Sequence, residues 1–233
     1  MHNIVIVGGG AGGLELATRL GDNLGRRGRA GITLIDRSRR HLWKPLLHEV
    51  AAGSMDLDEH ALDYLAQARW HHFRFLLGRM DGIDRERKLV SVTGTLDEEG
   101  RELLPRRDIP YDTLVVAIGS TTNDFNTPGA AKHAISLDTS EQAERFHRRL
   151  IDACVRANAQ EAPLVPGQLD VAIIGAGATG VELAAELHKT TRELVAYGFD
   201  NIDPEHDIKL NIIEAAPRIL PALPERSTRC CGT

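Results

Sequence analysis

Aromatic residues make up only 4% of this 233-residue chain. Single-strand nucleic-acid binders stack bases on aromatic platforms, so that class is disfavoured at once. Basic excess is also lacking: 28 Lys and Arg stand against 33 Asp and Glu, a net charge of −5. A nucleic-acid-binding domain would usually show a basic face. Cysteine is scarce: Cys154, Cys230 and Cys231 are all there are, with no C-x-x-C. That supports neither a disulfide framework nor a zinc site, and it fits a reducing cytoplasm. No apolar run reaches the roughly 18 residues that a membrane-crossing helix needs. The N-terminus shows no charged region followed by a hydrophobic signal segment. Hydrophobic residues make up 42%, enough for a sizeable core, which excludes a disordered chain. The length suits one large domain or two modest ones.

What is present is concentrated first in Asn3 to Ala17, NIVIVGGGAGGLELA. Ile4 to Val7 form an apolar run that leads into Gly8, Gly10 and Gly13 at G-x-G-x-x-G spacing. Leu14, Leu16, Ala17 and Leu20 then follow a helical pattern. The spacing predicts a buried parallel strand, a tight turn and a helix whose N-terminus faces a diphosphate. Gly8 makes the turn, Gly10 admits the pyrophosphate to the backbone, and Gly13 lets helix and strand pack closely. Ala11 and Gly12 contribute free N–H groups at the helix start. A second strand, Gly31 to Ile35, ends at Asp36, 23 positions beyond Gly13. An acid there accepts hydrogen bonds from the ribose of an adenosine.

Further along, Leu46, Leu47, Val50 and Ala51 have helical spacing, with Pro45 at the first helical position. Asp58 to Trp70 reads as an amphipathic helix with Leu62, Leu65, Ala66 and Arg69 along one side. Phe73 to Leu104 reads as an antiparallel meander, extending to about 107, with a polar hairpin turn over Asp97 to Gly100. Tyr111 to Gly119 is another buried strand. The turn-rich stretch Ser120 to Pro128 marks the expected division into domains at 1–122 and 123–233. A long helix is expected over Asp138 to Ala159, capped by Asp138 or Thr139.

The opening pattern then repeats. Leu169 to Ile174 is a strand; Gly175, Gly177 and Gly180 have the same spacing; and the strand Lys209 to Ile213 ends in Glu214. Two fingerprints, each with its own acid, imply two dinucleotides and electron transfer between them, FAD on the first and a nicotinamide dinucleotide on the second. Glu214 repels a 2′-phosphate, which favours NADH over NADPH. Arg218, four residues on, reads as a surface charge. His41, His48, His71 and His72 have no ligand partners at metal spacing, so no metal is expected. Trp43 either stacks on the flavin or packs against the neighbouring helix. Two rivals remain beside this reading. A pyridine nucleotide–disulfide oxidoreductase needs a redox cysteine pair beside the flavin, and Leu42 to Ala52 has none. A non-catalytic or NADH-sensing module would bind NADH without flavin.

The segments HLWKPLLHEVAAGSMD, YDTLVVAIGS, VAIIGAGATGVELAAEL and NIIEAAPRILPALPER together resemble the type II NADH dehydrogenases, single-chain NADH:quinone oxidoreductases that carry FAD and pump no protons. The resemblance runs from residue 3 to about 227. It implies an α/β fold of two Rossmann-like domains with parallel central sheets and a small β-meander, the FAD domain and the second domain both incomplete. It implies FAD contacts at Gly8, Gly10, Gly13 and Asp36, with Lys44 and Pro45 passing beside the flavin ring and Met80 reaching the adenine through its backbone. Arg37 and Arg39, read from the residues themselves, are candidate partners for an adenosine phosphate or plain charges of a basic surface loop. Ala117-Ile118-Gly119 is similar to the second flavoprotein motif, with Ile118 where a hydroxyl residue is usual. NADH contacts are implied at Gly175, Gly177, Thr179, Gly180 and Glu214. Glu182 points, on this resemblance, at the meeting place of nicotinamide and flavin, to position the carboxamide or relay protons. The plainer alternative is an acid stabilised at a helix N-terminus by about 0.3–1 kcal/mol. The resemblance further implies a quinone acceptor and a peripheral place on the cytoplasmic face of the inner membrane, and it is compatible with a homodimer. It also implies a chain of roughly twice this length, so that these residues alone are expected to be catalytically impaired.

Overall fold

Both faces of the first strand are apolar, with Ile4 and Ile6 on one side and Val5 and Val7 on the other. That is the pattern of a parallel strand covered on both faces. The structure, a computed structural model, describes residues 1–224; Cys230 and Cys231 lie outside the described residues. Strand β1 (His2–Val7) leads through the glycine turn into α1 (Ala11–Leu20), a turn of π-helix (Gly21–Gly25) and β2 (Ala30–Asp36). Next come β3 (Arg40–His41), a 3-10 turn (Lys44–Leu46), α2 (Leu47–Ala52), α3 (Leu57–His60), β4 (Leu62–Asp63) and α4 (Tyr64–Trp70). Strands β5 (Arg74–Leu77), β6 (Met80–Asp84), β7 (Leu89–Val92), β8 (Thr95–Leu96), β9 (Glu102–Leu104), β10 (Arg107–Pro110) and β11 (Thr113–Val116) follow. The remainder holds α5 (Ala130–His133), α6 (Ser140–Ala159), β12 (Val171–Ile174), α7 (Ala178–Ala196) and β13 (Leu210–Ile213). Packing divides the chain into two compact units: Met1–Lys44 with Asp58–Thr121, and Pro45–Leu57 with the chain from Thr122 onward.

The first unit is built on a parallel sheet of order β11-β1-β2-β5. On one face Ile6, Ile32 and Leu34 pack with Leu14 and Ala17 of α1 and with Tyr64, Ala68 and Phe73. On the other, Val5, Val7 and Ile35 pack with Val90 and Val92 of an antiparallel sheet, order β10-β7-β6. Two expectations are corrected here. The meander does not begin at Phe73, because β5 runs parallel beside β2, from Thr33 opposite Arg74 to Asp36 opposite Leu77. An apolar run announces that a strand is buried, not which neighbour it pairs with. The helix expected over 58–70 is broken in two. Leu62 leaves the helical path to pair with His41, and Asp63 caps α4 by accepting the Ala66 N–H at 3.0 Å. The buried side of α4 is Tyr64 and Ala68, while Leu65 is exposed.

In the second unit β12 and β13 pair in parallel, Val171 opposite Leu210 through Ile174 opposite Ile213. Helix α2 packs against α6 and α7 and buries Leu47, Val50, Ala51 and Ala52. Thr139 is the cap of α6. It accepts the Gln142 N–H, while the Gln142 carboxamide oxygen accepts the Thr139 N–H, a capping box. Cys154 is buried on α6, and burial pushes its thiol pKa up, away from a reactive thiolate.

Candidate functional site

Two glycine turns, one in each unit, share one geometry. The Gly8 N–H donates to the Ile35 carbonyl at 2.8 Å, and the Gly175 N–H donates to the Ile213 carbonyl at 2.8 Å. Their φ angles are +101° and +102°, a region that favours glycine. A Cβ on Gly13 would stand 1.8 Å from the Gly8 carbonyl oxygen, and one on Gly180 would stand 2.0 Å from that of Gly175. The third glycine of each turn is therefore where helix backbone meets strand backbone. Gly10 and Gly177 behave differently. Each precedes a helix with no side-chain cap, and open space lies where its Cβ would be. Gly12 has the same open surroundings, and Ala11 and Thr179 are exposed. Uncapped N–H groups in front of open space are what a diphosphate requires.

The acids complete the match. Asp36 accepts the Gly9 N–H (2.6 Å) on Oδ2 and the Ser38 N–H (2.8 Å) on Oδ1. Glu214 accepts the Ala176 N–H (2.7 Å) on Oε2 and the Ala216 N–H (2.9 Å) on Oε1. Each carboxylate thus holds its own glycine turn and keeps lone pairs for a ribose. The backbone donors Ala216, Ala176 and Ala215 hold the Glu214 carboxyl below its ordinary pKa. A depressed folded pKa means that this support is complete above the unfolded value and is lost as pH falls through the folded one. In an acid titration by NMR, the Ala176 and Ala216 amides are expected to shift together, with a midpoint below that of an unstructured glutamate. A midpoint at or above that value overturns the assignment.

Other implied residues are distributed as follows. The Lys44 ammonium donates to the Ser120 carbonyl at 3.0 Å. Ala117 backs onto Gly8, where an added Cβ would meet the Ala117 carbonyl oxygen at 2.3 Å. Gly119 has φ +71°, and Ile118 is exposed. Just past the end of β5 the Gly78 N–H donates to the Asp36 carbonyl at 2.8 Å, and Met80, two residues on, is half-buried against the Val90 and Val92 cluster. Arg37 is exposed, as is Trp43, which is not packed away against a helix. Arg218 donates to the Pro221 carbonyl at 2.9 Å. In the second unit Pro45 is exposed and its carbonyl meets His48 Nδ1 at 2.7 Å, while Glu182 lies early in α7, half exposed. Among the described residues no cluster of His, Cys, Asp or Glu is placed to hold a metal ion.

Two supports of the first turn carry no sequence signal. The Tyr64 hydroxyl donates to the Gly9 carbonyl at 2.6 Å, and His41 Nδ1 approaches the same oxygen at 2.9 Å. A carbonyl only accepts, so Nδ1 carries the proton. Tyr64 stacks on Phe75, with centroids 5.0 Å apart. Burial, then the Asp36 charge, pushes the Tyr64 phenol pKa up, and burial holds that of His41 down. In the second turn the corresponding carbonyl, that of Ala176, accepts the Leu220 N–H at 2.7 Å.

Comparison with known proteins agrees with this geometry. The family profile of the pyridine nucleotide-disulphide oxidoreductases matches residues 2–232. A type II NADH:quinone oxidoreductase of Haemophilus influenzae is 46% identical over 97% of this chain and 53% of its own length. One from Mycobacterium tuberculosis, NdhA, is 31% identical over 95% of this chain and 45% of its own. The chain therefore spans about half the length of the curated relatives it matches. Among solved structures, NDH2 from Plasmodium falciparum in complex with NADH superposes with a TM-score of 0.80 at 22% identity, covering 98% of this chain and 44% of that one. This last likeness bears on the fold alone.

Proposed function

From the premise that this chain belongs to the pyridine nucleotide-disulphide oxidoreductase family, we propose that it carries the dinucleotide-holding part of a type II NADH:quinone oxidoreductase. FAD takes the first turn and NADH the second; the expected division at 1–122 and 123–233 is modified in one respect, since Pro45–Leu57 packs with the unit of the second turn. The observation that carries the reading is the duplicated turn, with glycine, helix start and carboxylate in the same relation twice. Bound FAD supplies the redox chemistry that accepts a hydride from NADH and hands electrons to a quinone.

The chain's own residues bind and orient. The N–H groups of Ala11 and Gly12 hold one diphosphate, and those at the start of α7, with Thr179, hold the other. Asp36 and Glu214 take the two adenosine riboses on the lone pairs left over from the backbone. Met80 borders the adenine, Arg37 lies on its phosphate side, and Lys44 and Ala117 to Gly119 line the flavin. Glu182 fixes the nicotinamide carboxamide. The family name implies dithiol chemistry, yet the only cysteine among the described residues is the buried Cys154. On this reading the protein works peripherally at the cytoplasmic face of the inner membrane. Among the described residues no helix is long and apolar enough to cross a membrane.

Purified chain is expected to take up FAD with a bound-flavin spectrum. It should also bind NADH at least about tenfold more tightly than NADPH, since the Glu214 carboxylate repels a 2′-phosphate. NADH binding with no flavin uptake at any FAD concentration would point instead to a sensing module. Equal affinity for the two nicotinamide dinucleotides would remove Glu214 from the ribose.

A further inference from the structure

We propose that His48 is a positioning residue that sets the direction of the Glu182 carboxylate toward the nicotinamide. This rests on the NADH reading of the second turn. His48 stands on α2, Glu182 on α7, and the two helices pack together within one unit. The imidazole is nearly enclosed, with 13% of its side chain exposed. Its Nδ1 is 2.7 Å from the Pro45 carbonyl. Because a carbonyl can only accept, Nδ1 must bear the hydrogen, which determines the tautomer. The same Nδ1 lies 3.8 Å from Glu182 Oε2, beyond a hydrogen bond but near enough for its dipole to act on that oxygen.

A polar Nδ1–H whose hydrogen is held by the Pro45 carbonyl therefore stands within 3.8 Å of one carboxylate oxygen of a side chain that is 51% exposed. An exposed glutamate samples several rotamers; a fixed N–H dipole on one side selects among them. The other charged or titratable groups around α2 do not compete for this oxygen. Glu49 Oε1 is 4.0 Å from Nε2, on the far side of the ring. From α6, His147 lies against Gly53 at the end of α2, where an added Cβ would meet its ring. Among the described residues His48 makes no hydrogen bond to Gly175, Gly177, Thr179, Gly180 or Glu214 of the second turn; it joins the Pro45 carbonyl and, through Nδ1, stands beside Glu182.

The test compares NADH with ADP-ribose, which has the same diphosphate and ribose contacts but no nicotinamide. His48→Leu is expected to weaken NADH about tenfold and ADP-ribose less than about twofold. His48→Asn, whose amide N–H falls where Nδ1–H stands, is expected to recover NADH affinity to within about threefold of the unmodified chain. In a Glu182→Gln background His48→Leu should cost nothing further. Imidazole ¹⁵N shifts of the unmodified protein should report the Nδ1–H form. Equal losses for both ligands, failure of the asparagine, additive losses in the double variant, or the Nε2–H form each overturn the proposal. If the unmodified chain binds no ADP-ribose, the NADH reading itself falls; if it binds ADP-ribose but the His48 variants lose nothing specific to NADH, only this inference falls.

Discussion

Gly13→Ala is expected to destabilise the first unit by about 3 kcal/mol or more and to abolish flavin uptake. The direction is opposite to what helix propensity alone would give. Gly13 lies inside α1, where alanine is the better helix former by about 1 kcal/mol. The added methyl, however, would stand 1.8 Å from the Gly8 carbonyl oxygen and 3.3 Å from the Ala117 side chain. The first obstacle is backbone, held in place by the Gly8 N–H bond to Ile35, so neither side can yield cheaply. Gly10→Ala is the control. Its φ of −59° suits any residue and nothing lies within 4 Å of the new Cβ. Its unfolding free energy should change by no more than about 0.5 kcal/mol while FAD affinity falls, since the methyl fills the space reserved for the diphosphate. Chemical denaturation and flavin titration of both variants separate the two roles. A stable, flavin-binding Gly13→Ala protein, or an unfolded Gly10→Ala one, would reverse the assignment.

Asp36→Asn is expected to cost FAD affinity on the order of 100-fold. The exchange is nearly isosteric, so volume plays no part. Asp36 receives two backbone donors, the Gly9 N–H on one oxygen and the Ser38 N–H on the other. A carboxamide has one acceptor oxygen and must turn an NH2 toward the second donor. Whichever way it flips, one backbone N–H loses a charge-assisted bond, worth about 1.5–3 kcal/mol. The ribose also loses an anionic acceptor. Glu214→Gln meets the same conflict between Ala176 and Ala216 and should weaken NADH by a similar factor while leaving flavin in place. Calorimetric titration of each variant with each ligand checks both. Loss of both ligands from either variant would mean that the two turns do not act separately.

The glycine fingerprints were legible because their geometry is local. Gly8, Gly10 and Gly13 lie within six residues of one another, and strand, turn and helix are dictated by φ, backbone approach and apolar period over that short span. The repeat at Gly175 to Gly180 is legible for the same reason, as are Asp36 and Glu214, since each ends an apolar strand. The start of α6 was legible too, though only as a cap at Asp138 or Thr139; the box between Thr139 and Gln142 is read from the structure. What could not be read depends on contacts between distant parts of the chain. Arg74 to Leu77 carries the same apolar signature whether it pairs with β2 or with β6. Asp58 to Trp70 has a helical period, yet pairing of Leu62 with His41, 21 residues away, outweighs it and breaks the helix. That break is what turns Tyr64 inward to the Gly9 carbonyl, 55 residues distant. His48 and Glu182 are brought together only by the packing of α2 on α7.

The amino-acid sequence by itself thus determined that there are two glycine turns of one spacing, which acid ends the strand beside each, and that Leu42 to Ala52 holds no cysteine pair. These follow from residue chemistry at short spacing. Tertiary structure alone decided which strands share the parallel sheet, that Tyr64 and His41 brace one turn while Leu220 braces the other, and that a histidine with one permitted tautomer faces Glu182. Those follow from burial and from the need of every enclosed donor and acceptor for a partner, and such partners are found across the fold rather than along the chain.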